Sequence, residues 1–380
     1  MRSKRVFLTA AIAMTALAAA ALGGCTGAPS GFIEAKVAED TTYGGVYVDV
    51  PVEKINAAGF ALGDSVDVIF SNGCSLEDIP YYNGYYVDLD EPLLIAYPGD
   101  TRAKLCYNYG DKMWEVFELE GFEGVRITLR EAGKYKDVQD ALSVEYTDER
   151  DDYPSDVAFA NYREMKGGSL KEGTFFRGAS SVSNEHNRAP FVNELMETGG
   201  IAYDLDLSDN EGEVEALLAQ DKKDSIDVSC FEKIYDAGSV GYLDLGSAWR
   251  SDSFKRTLSQ GLYEMSKHDG PYYIHCIEGK DRTGFACALI EALAGASYDE
   301  IVDDYMETYA NYYGFTEEGE PGKYNAIKEL QIDNMLAYLL GASDKTDLDQ
   351  ADFTDGARKY LISGGLSADQ VSKIESVICS

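Results

Sequence analysis

The chain has 380 residues, and its 33 Lys and Arg stand against 67 Asp and Glu, a net charge of -34. Charge of that sign and size repels polyanions at long range, which excludes nucleic acid as a partner and requires any anionic ligand to be held by a local cluster of donors. Hydrophobic residues at 45% suffice for an ordinary core, the length suggests two domains, and seven scattered cysteines are too few for a disulfide-built scaffold.

In chain order, Arg2, Lys4 and Arg5 precede an apolar stretch over residues 6–22 that ends in Leu22-Gly23-Gly24-Cys25. That order is the grammar of an export signal. The competing reading is one membrane-spanning helix, since the run nearly reaches the roughly 20 residues a crossing needs, but its alanines and terminal glycines favour cleavage. The Leu-x-Gly-Cys ending resembles the bacterial lipoprotein box. The resemblance implies that residues 1–25 are a lipoprotein signal peptide, that Cys25 carries lipid, and that the mature chain is extracytoplasmic and anchored to the cell membrane. Residues 26–40 read as a polar tether.

Residues 41–150 read as a small all-β domain. Apolar or alternating runs at 45–50, 65–70, 92–97 and 125–129 are separated by Asn72-Gly73, Asn83-Gly84 and Pro98-Gly99-Asp100, the spacing of a barrel or sandwich. Leu62-Gly63-Asp64, Ile79-Pro80-Tyr81-Tyr82 and Tyr107-Asn108-Tyr109-Gly110 resemble the C-terminal β-barrel of bacterial adenosyl-hydroxide transferases, which implies a fold and no adenosyl chemistry. Tyr81, Tyr82, Tyr85 and Tyr86 form either a recognition surface for a glycan or protein, or strand tyrosines packed with their hydroxyls at the rim. Cys74 and Cys106 either pair or remain separate buried thiols. The domain's partner is unknown from sequence. The charged run over 147–155 marks the boundary.

From 151 to 380, strands and helices alternate, the pattern of an α/β layer fold. Strands are predicted over 175–177 and 201–205. Helices are predicted over 189–197, 252–267, 285–294, 302–313 and 326–340, with a closing pair over 357–362 and 371–378 introduced by Ser367-Ala368-Asp369-Gln370. Within this span Tyr272-Tyr273-Ile274-His275 is a short strand and Cys276 to Arg282 a loop. Phe285, Ala286, Leu289, Ile290 and Leu293 then give the next helix one apolar face.

Strand, loop and helix make an anion site, because the loop's N–H groups converge and the helix N-terminus adds about half a positive charge. The same field stabilises a thiolate at Cys276. Arg282 closes the turn, and its guanidinium can fork onto two oxygens of a phosphate, which a lysine could not do. The chemistry implied is attack by the thiolate, release of an alcohol with a proton from an acid, and hydrolysis of a cysteinyl-phosphate. A sulfur-transferring enzyme with a cysteine-arginine loop is the competing reading. Three histidines without metal-ligand spacing disfavour metal-dependent hydrolysis, so no metal and no cofactor are expected.

Cys-x5-Arg with His before it and Thr-Gly after it resembles the loop of the protein tyrosine phosphatase superfamily. Gly279-Lys280-Asp281-Arg282-Thr283-Gly284 resembles its secreted bacterial tyrosine and phosphoinositide phosphatases. Asn161-Tyr162-Arg163-Glu164, Phe176-Arg177-Gly178 and Asp204-Leu205 add shorter likenesses. The family implies an α/β phosphatase domain, a central sheet flanked by helices, over 151–380, here preceded by the small all-β domain. It implies Cys276 as nucleophile, Arg282 as phosphate clamp and Asp281 as general acid. Substrate would be held along Ile277, Glu278, Gly279, Lys280, Thr283 and Gly284, with Lys280 reaching a second phosphate or acidic group and Thr283 bonding the leaving sulfur.

His275 supports the loop conformation and the thiolate, while His186 and His268 read as surface residues. Asp281 could instead brace the loop, leaving Asp244, Asp204 or Asp209 as the acid. Glu278, where the family often has a small residue, and Asp206, where it has Arg, are departures that weaken phosphate attraction. The expected substrates are phosphotyrosine, with phosphoserine, phosphothreonine or phosphoinositide as further possibilities. The alternatives are soluble inositol phosphates, or a phosphoryl-binding lipoprotein with little catalysis.

Overall fold

A computed structural model describes residues 31–122, 124–342 and 345–379. The expected signal peptide and its Cys25 lie outside the described residues. Among the described residues, no helix is long and apolar enough to cross a membrane. The chain divides between Val144 and Glu145 into two compact units.

In the first unit β1 (Phe32–Glu39), β2 (Val46–Val48), β3 (Ser65–Phe70), β4 (Ser75–Tyr82), β5 (Pro92–Ile95), β6 (Ala103–Tyr107) and β7 (Gly124–Glu131) close a barrel in the order β1-β2-β6-β5-β4-β3-β7. All neighbours are antiparallel except β4 and β5. Side chains alternate across a strand, so Val66, Val68 and Phe70 of β3 fill the core with Ile33, Val48, Tyr81, Leu105 and Ile127. Short helices α1 (Val52–Ala57) and α2 (Met113–Val116) lie among the strands in sequence, and α3 (Lys136–Leu142) follows the last of them.

One expectation changes here and two open alternatives are decided. Residues 26–40 are not a tether from Phe32 onward. Ile33, Ala35 and Val37 alternate with Glu34 and Lys36, and the strand they form closes the barrel between β2 and β7. Its charged residues disguised the two-residue period. Cys74 and Cys106 are both free. The tyrosines divide, Tyr81 and Tyr82 being buried and Tyr85 exposed.

The second unit begins ahead of the charged run, not within it. Tyr146 stacks on Tyr312 at 4.9 Å and Asp148 pairs with Arg188 at 2.9 Å, so residues 145–150 are anchored in the α/β unit. Its sheet has five strands in the order β11-β10-β12-β9-β8. These are β8 (Arg163–Glu164), β9 (Phe175–Gly178), β10 (Tyr203–Asp206), β11 (Val240–Tyr242) and β12 (Tyr272–His275), with only β8 antiparallel.

The helices are α4 (Asp156–Phe159), α5 (Ala189–Gly199), α6 (Glu211–Asp224), α7 (Ser229–Asp236), α8 (Asp252–Met265), α9 (Asp281–Leu293), α10 (Tyr298–Tyr313), α11 (Pro321–Ile327), α12 (Asp333–Leu340), α13 (Phe353–Ser363) and α14 (Ala368–Ile378). α6 and α7 were not predicted, although Asn210 and Glu213 form a capping box at the start of α6. The helix predicted over 326–340 is interrupted by a π-turn at Lys328–Ile332. α9 lacks the expected single apolar face, because every residue from Thr283 to Leu293 is buried. A helix covered on all sides has no polar face to show in its sequence.

Candidate active site

β12 lies between β10 and β9 in the middle of the sheet, and the chain leaves its carboxyl end into the 276–280 loop before entering α9. The carboxyl ends of the parallel strands are where open α/β sheets bind ligands. Cys276 is buried at the start of the loop.

Each carbonyl of the next three residues is drawn to a donor behind the loop. The Ser180 N–H donates to Ile277 O (3.0 Å), the Tyr312 hydroxyl to Glu278 O (2.7 Å), and Arg177 Nη2 and Asn161 Nδ2 to Gly279 O (3.0 and 3.3 Å). In a trans peptide the C=O and the following N–H point opposite ways. The N–H groups of Glu278, Gly279 and Lys280 are thereby turned to the loop's inner side, a nest suited to a tetrahedral anion. Gly279 is required twice over, by its φ of +69° and because a Cβ there would stand 2.1 Å from Gly178 O.

The donors are themselves held by buried charge. Arg177, wholly buried, pairs with Asp304, which Arg163 Nε also reaches at 2.7 Å. Arg163 Nη1 donates to Asn161 Oδ1 (2.7 Å), and Asn161 Nδ2 donates to Thr308 Oγ1 (3.1 Å). Burial by itself raises the Asp304 carboxyl, but the two guanidiniums outweigh it and the group lies below the usual carboxylate range. The short likenesses around Asn161 and Arg177 therefore contain side chains that brace the loop. Asp304, Thr308 and Tyr312 were not singled out from sequence, although their spacing of four puts them on one face of α10.

His275 is buried, with Nε2 2.8 Å from Asp204 Oδ1 and 3.1 Å from Ser181 Oγ, and Nδ1 3.2 Å from Cys276 O. Burial opposes its protonation, but Asp204 and then Asp206 outweigh it and raise the imidazolium to about 10. A protonated ring donates at both nitrogens, so Nδ1–H fixes the Cys276 carbonyl.

Asp281 is exposed as the first residue of α9. Its desolvation, reinforced by Glu278, raises the carboxyl against the pull of Lys280 and Arg282. Arg282 follows in the first turn of α9, with Nη1 donating to Leu245 O (2.9 Å). Thr283 is buried, and its Oγ1 has no hydrogen-bond partner among the described residues. Gly284 is where the Tyr305 ring packs, 2.5 Å from where a Cβ would stand.

The two departures from the family pattern take a different form from the one expected. Glu278 is no unpaired anion on a rim, because Lys280 Nζ lies 2.9 Å from its Oε2. Burial raises the Glu278 carboxyl, but Lys280 and a Tyr146 hydrogen bond lower it overall. Lys280 is thus occupied, and the Tyr313 hydroxyl lies 3.4 Å from its Nζ. Asp206 is buried and accepts the Ser208 N–H (2.8 Å), the Ser208 hydroxyl (2.8 Å) and the Asp209 N–H (3.2 Å), so it caps a turn. Burial raises it to about 6 despite His275.

Among the alternative acids, Asp204 is committed to His275 and Asp244 is exposed with a positive φ of 46°. Asp209 Oδ2 lies 3.1 Å from the Ser208 hydroxyl oxygen, whose proton goes to Asp206. His186 is not a plain surface residue, since its Nδ1 lies 3.1 Å from Asp148 Oδ1 and its ring packs on Tyr146. His268 is exposed, with its ring 4.6 Å from that of Tyr203.

None of the curated proteins matches the chain. A solved structure described as an uncharacterized conserved protein from Thermotoga maritima is similar at 19% identity, over 25% of this chain and 35% of that one, with a TM-score of 0.22. The match thus spans about a third of that protein's chain. The model of the tyrosine phosphatase family matches residues 158–379, more than half of the chain and nearly all of its second unit. The anion nest after the central strand and this match agree, and the chain belongs to the tyrosine phosphatase family.

Proposed function

We propose that the α/β unit hydrolyses phosphate monoesters by way of a cysteinyl-phosphate, with phosphotyrosine as the preferred substrate. The observation that carries this reading is the outward anchoring of three successive loop carbonyls, which leaves N–H groups to bind a phosphate beside Cys276. The Cys276 thiolate attacks phosphorus, the P–O bond to the substrate breaks, and Asp281 transfers its proton to the departing oxygen. Water then attacks the phosphoenzyme, the S–P bond breaks with its electron pair returning to sulfur, and the Asp281 carboxylate takes the water's proton. Arg282 swings from Leu245 O to fork onto the transferring oxygens, and Thr283 Oγ1 offers its free hydroxyl to the leaving thiolate. The upward shift of Asp281 supports its role as acid, since a donor must hold its proton near neutral pH.

Lys280 decides between substrate classes. Multiply phosphorylated inositols or lipids would need a free cation beside the loop, and the ion pair with Glu278 supports a preference for a single phosphate group. Membrane anchoring at Cys25, outside the cytoplasm, belongs to the same proposal, and loss of lipid labelling in Cys25→Ala tests it.

The enzymatic test offers the protein phosphotyrosine, phosphoserine and phosphothreonine peptides, phosphoinositides and phytate, with a chelator present. Phosphotyrosine turnover is expected to survive the chelator and to fall on the order of 10⁴-fold or more in Cys276→Ser, as for loss of a nucleophile. Loss of activity with chelator would sink the mechanism. If no substrate is turned over while Cys276→Ser binds phosphopeptide, the unit is a phosphoryl reader instead.

A further inference from the structure

The barrel unit carries a cleft of about 680 Å³, within the range of about 300–1,000 Å³ usual for small-ligand sites. It lies on the outer wall where β2 and β6 run side by side. Ala103 and Leu105 of β6 point into the core, so the intervening Lys104, and Cys106 beyond, face outward into the cleft. Gly45 leaves the floor bare, since a Cβ there would come within 3.2 Å of Lys104 Cδ and 3.3 Å of Cys106 Cβ.

Tyr43, Tyr85 and Tyr109 line the opening, and they are 78%, 45% and 91% exposed. These rings face solvent, whereas Tyr81 and Tyr82 of the same unit are buried. Tyr109 also holds a φ of +54°, uncommon for a bulky residue and characteristic of functional positions.

The charged side chains that line the cleft are Lys104 and Asp111, with the buried Asp40 behind Lys104. Lys104 Nζ stands 3.4 Å from Asp40 Oδ2 and 5.7 Å from the ring centroids of both Tyr43 and Tyr85. Asp40 also accepts the N–H groups of Thr42 and Tyr43 at 3.1 and 3.3 Å. The lining therefore offers a donor in Lys104 and an acceptor in Asp111, whose charges offset, between flat apolar faces.

From this we infer that the barrel binds a neutral carbohydrate. The C–H face of a sugar ring stacks on exposed tyrosines, and its hydroxyls, each both donor and acceptor, match Lys104 and Asp111. A nucleotide would also stack, but its phosphates need a free cation, and the chain's net charge of -34 repels them. The test passes the full chain over immobilised tetramers of β-1,4-glucose, β-1,4-mannose and N-acetylglucosamine, with polygalacturonate and a single-stranded oligonucleotide alongside. Retention on at least one neutral tetramer is expected, weakened about tenfold by Tyr109→Ala and again by Tyr43→Ala, and kept by Tyr109→Trp. Both tyrosines are exposed, so an unchanged melting temperature shows that the variants are folded. Retention by no neutral tetramer, retention only by the two anionic ligands, or equal retention of wild type and variants would overturn the inference.

Discussion

Among the described residues the barrel buries carboxylates as its only charged side chains, whereas the α/β unit buries guanidiniums as well, to a different effect. In the barrel the buried carboxylates take N–H groups: Asp64 accepts those of Ala61 and Gly133, both at 2.7 Å, and Asp40 those of Thr42 and Tyr43. In the phosphatase unit buried guanidiniums take carbonyls: Arg177 holds Gly279 O, and Arg188 Nε holds Phe159 O at 2.8 Å. Every buried backbone group needs a partner. A carboxylate in a turn consumes the N–H groups there, whereas a guanidinium behind a loop consumes its carbonyls and leaves its N–H groups for a ligand. A loop can therefore bind an anion in a chain of net charge -34 without presenting a large cationic surface.

Substitutions in the two braces give the sharpest contrast. Arg177→Met leaves Asp304 without its nearest cation and Gly279 O without its shorter bond, and should cost about 3–5 kcal/mol with a collapse of turnover. Asp64→Asn loses one of two acceptors and should cost about 1–3 kcal/mol with turnover intact. The chain has two tryptophans, Trp114 in the barrel and Trp249 against Phe285, so single-tryptophan variants followed in urea report each unit separately. Equal losses in both units would break the comparison.

Asp281→Asn is expected to slow hydrolysis of alkyl phosphates about 10²- to 10³-fold while barely affecting p-nitrophenyl phosphate, whose leaving group needs no proton. Because the folded Asp281 carboxyl is raised, the wild-type rate on alkyl phosphates should fall as pH rises through it. The variant should lack that limb. A rate independent of leaving group would remove Asp281 as the acid.

His275 makes the stability of the phosphatase unit pH-dependent. Its folded value near 10 lies above the ordinary 6.5, so protonation stabilises the fold fully below about 6.5, and the contribution is lost as pH rises through 10. Urea midpoints read through Trp249 should fall between pH 6 and 10, with a flatter profile in His275→Asn. Midpoints that rise over this interval would contradict the ion pair with Asp204.

The smallest expected effect is at the loop's edge. Glu278→Gln releases Lys280, and a few-fold gain on substrates with two phosphates relative to phosphotyrosine is expected, about 1 kcal/mol for a partly exposed cation. An unchanged ratio would mean that the ion pair does not set substrate class.

Legibility followed the range of the interactions involved. The alternation of Val66, Val68 and Phe70 gave away β3, and the apolar periods around 252–267 and 189–197 located α8 and α5, because those patterns are written within a few residues. β1 escaped because charges on its solvent side resembled a tether. The pairing of Glu278 with Lys280 is a contact two residues apart, yet loops have no period from which to infer it.

By itself the sequence determined that a cysteine and an arginine close a loop between a strand and a helix, with glycine where the turn needs a positive φ. Only the tertiary structure decided that Arg177, Asn161, Ser180 and Tyr312 stand behind that loop and turn its carbonyls outward. The reason is that local steric preferences act over neighbouring residues, whereas the partner of a loop carbonyl is chosen by whichever distant elements packing brings to it.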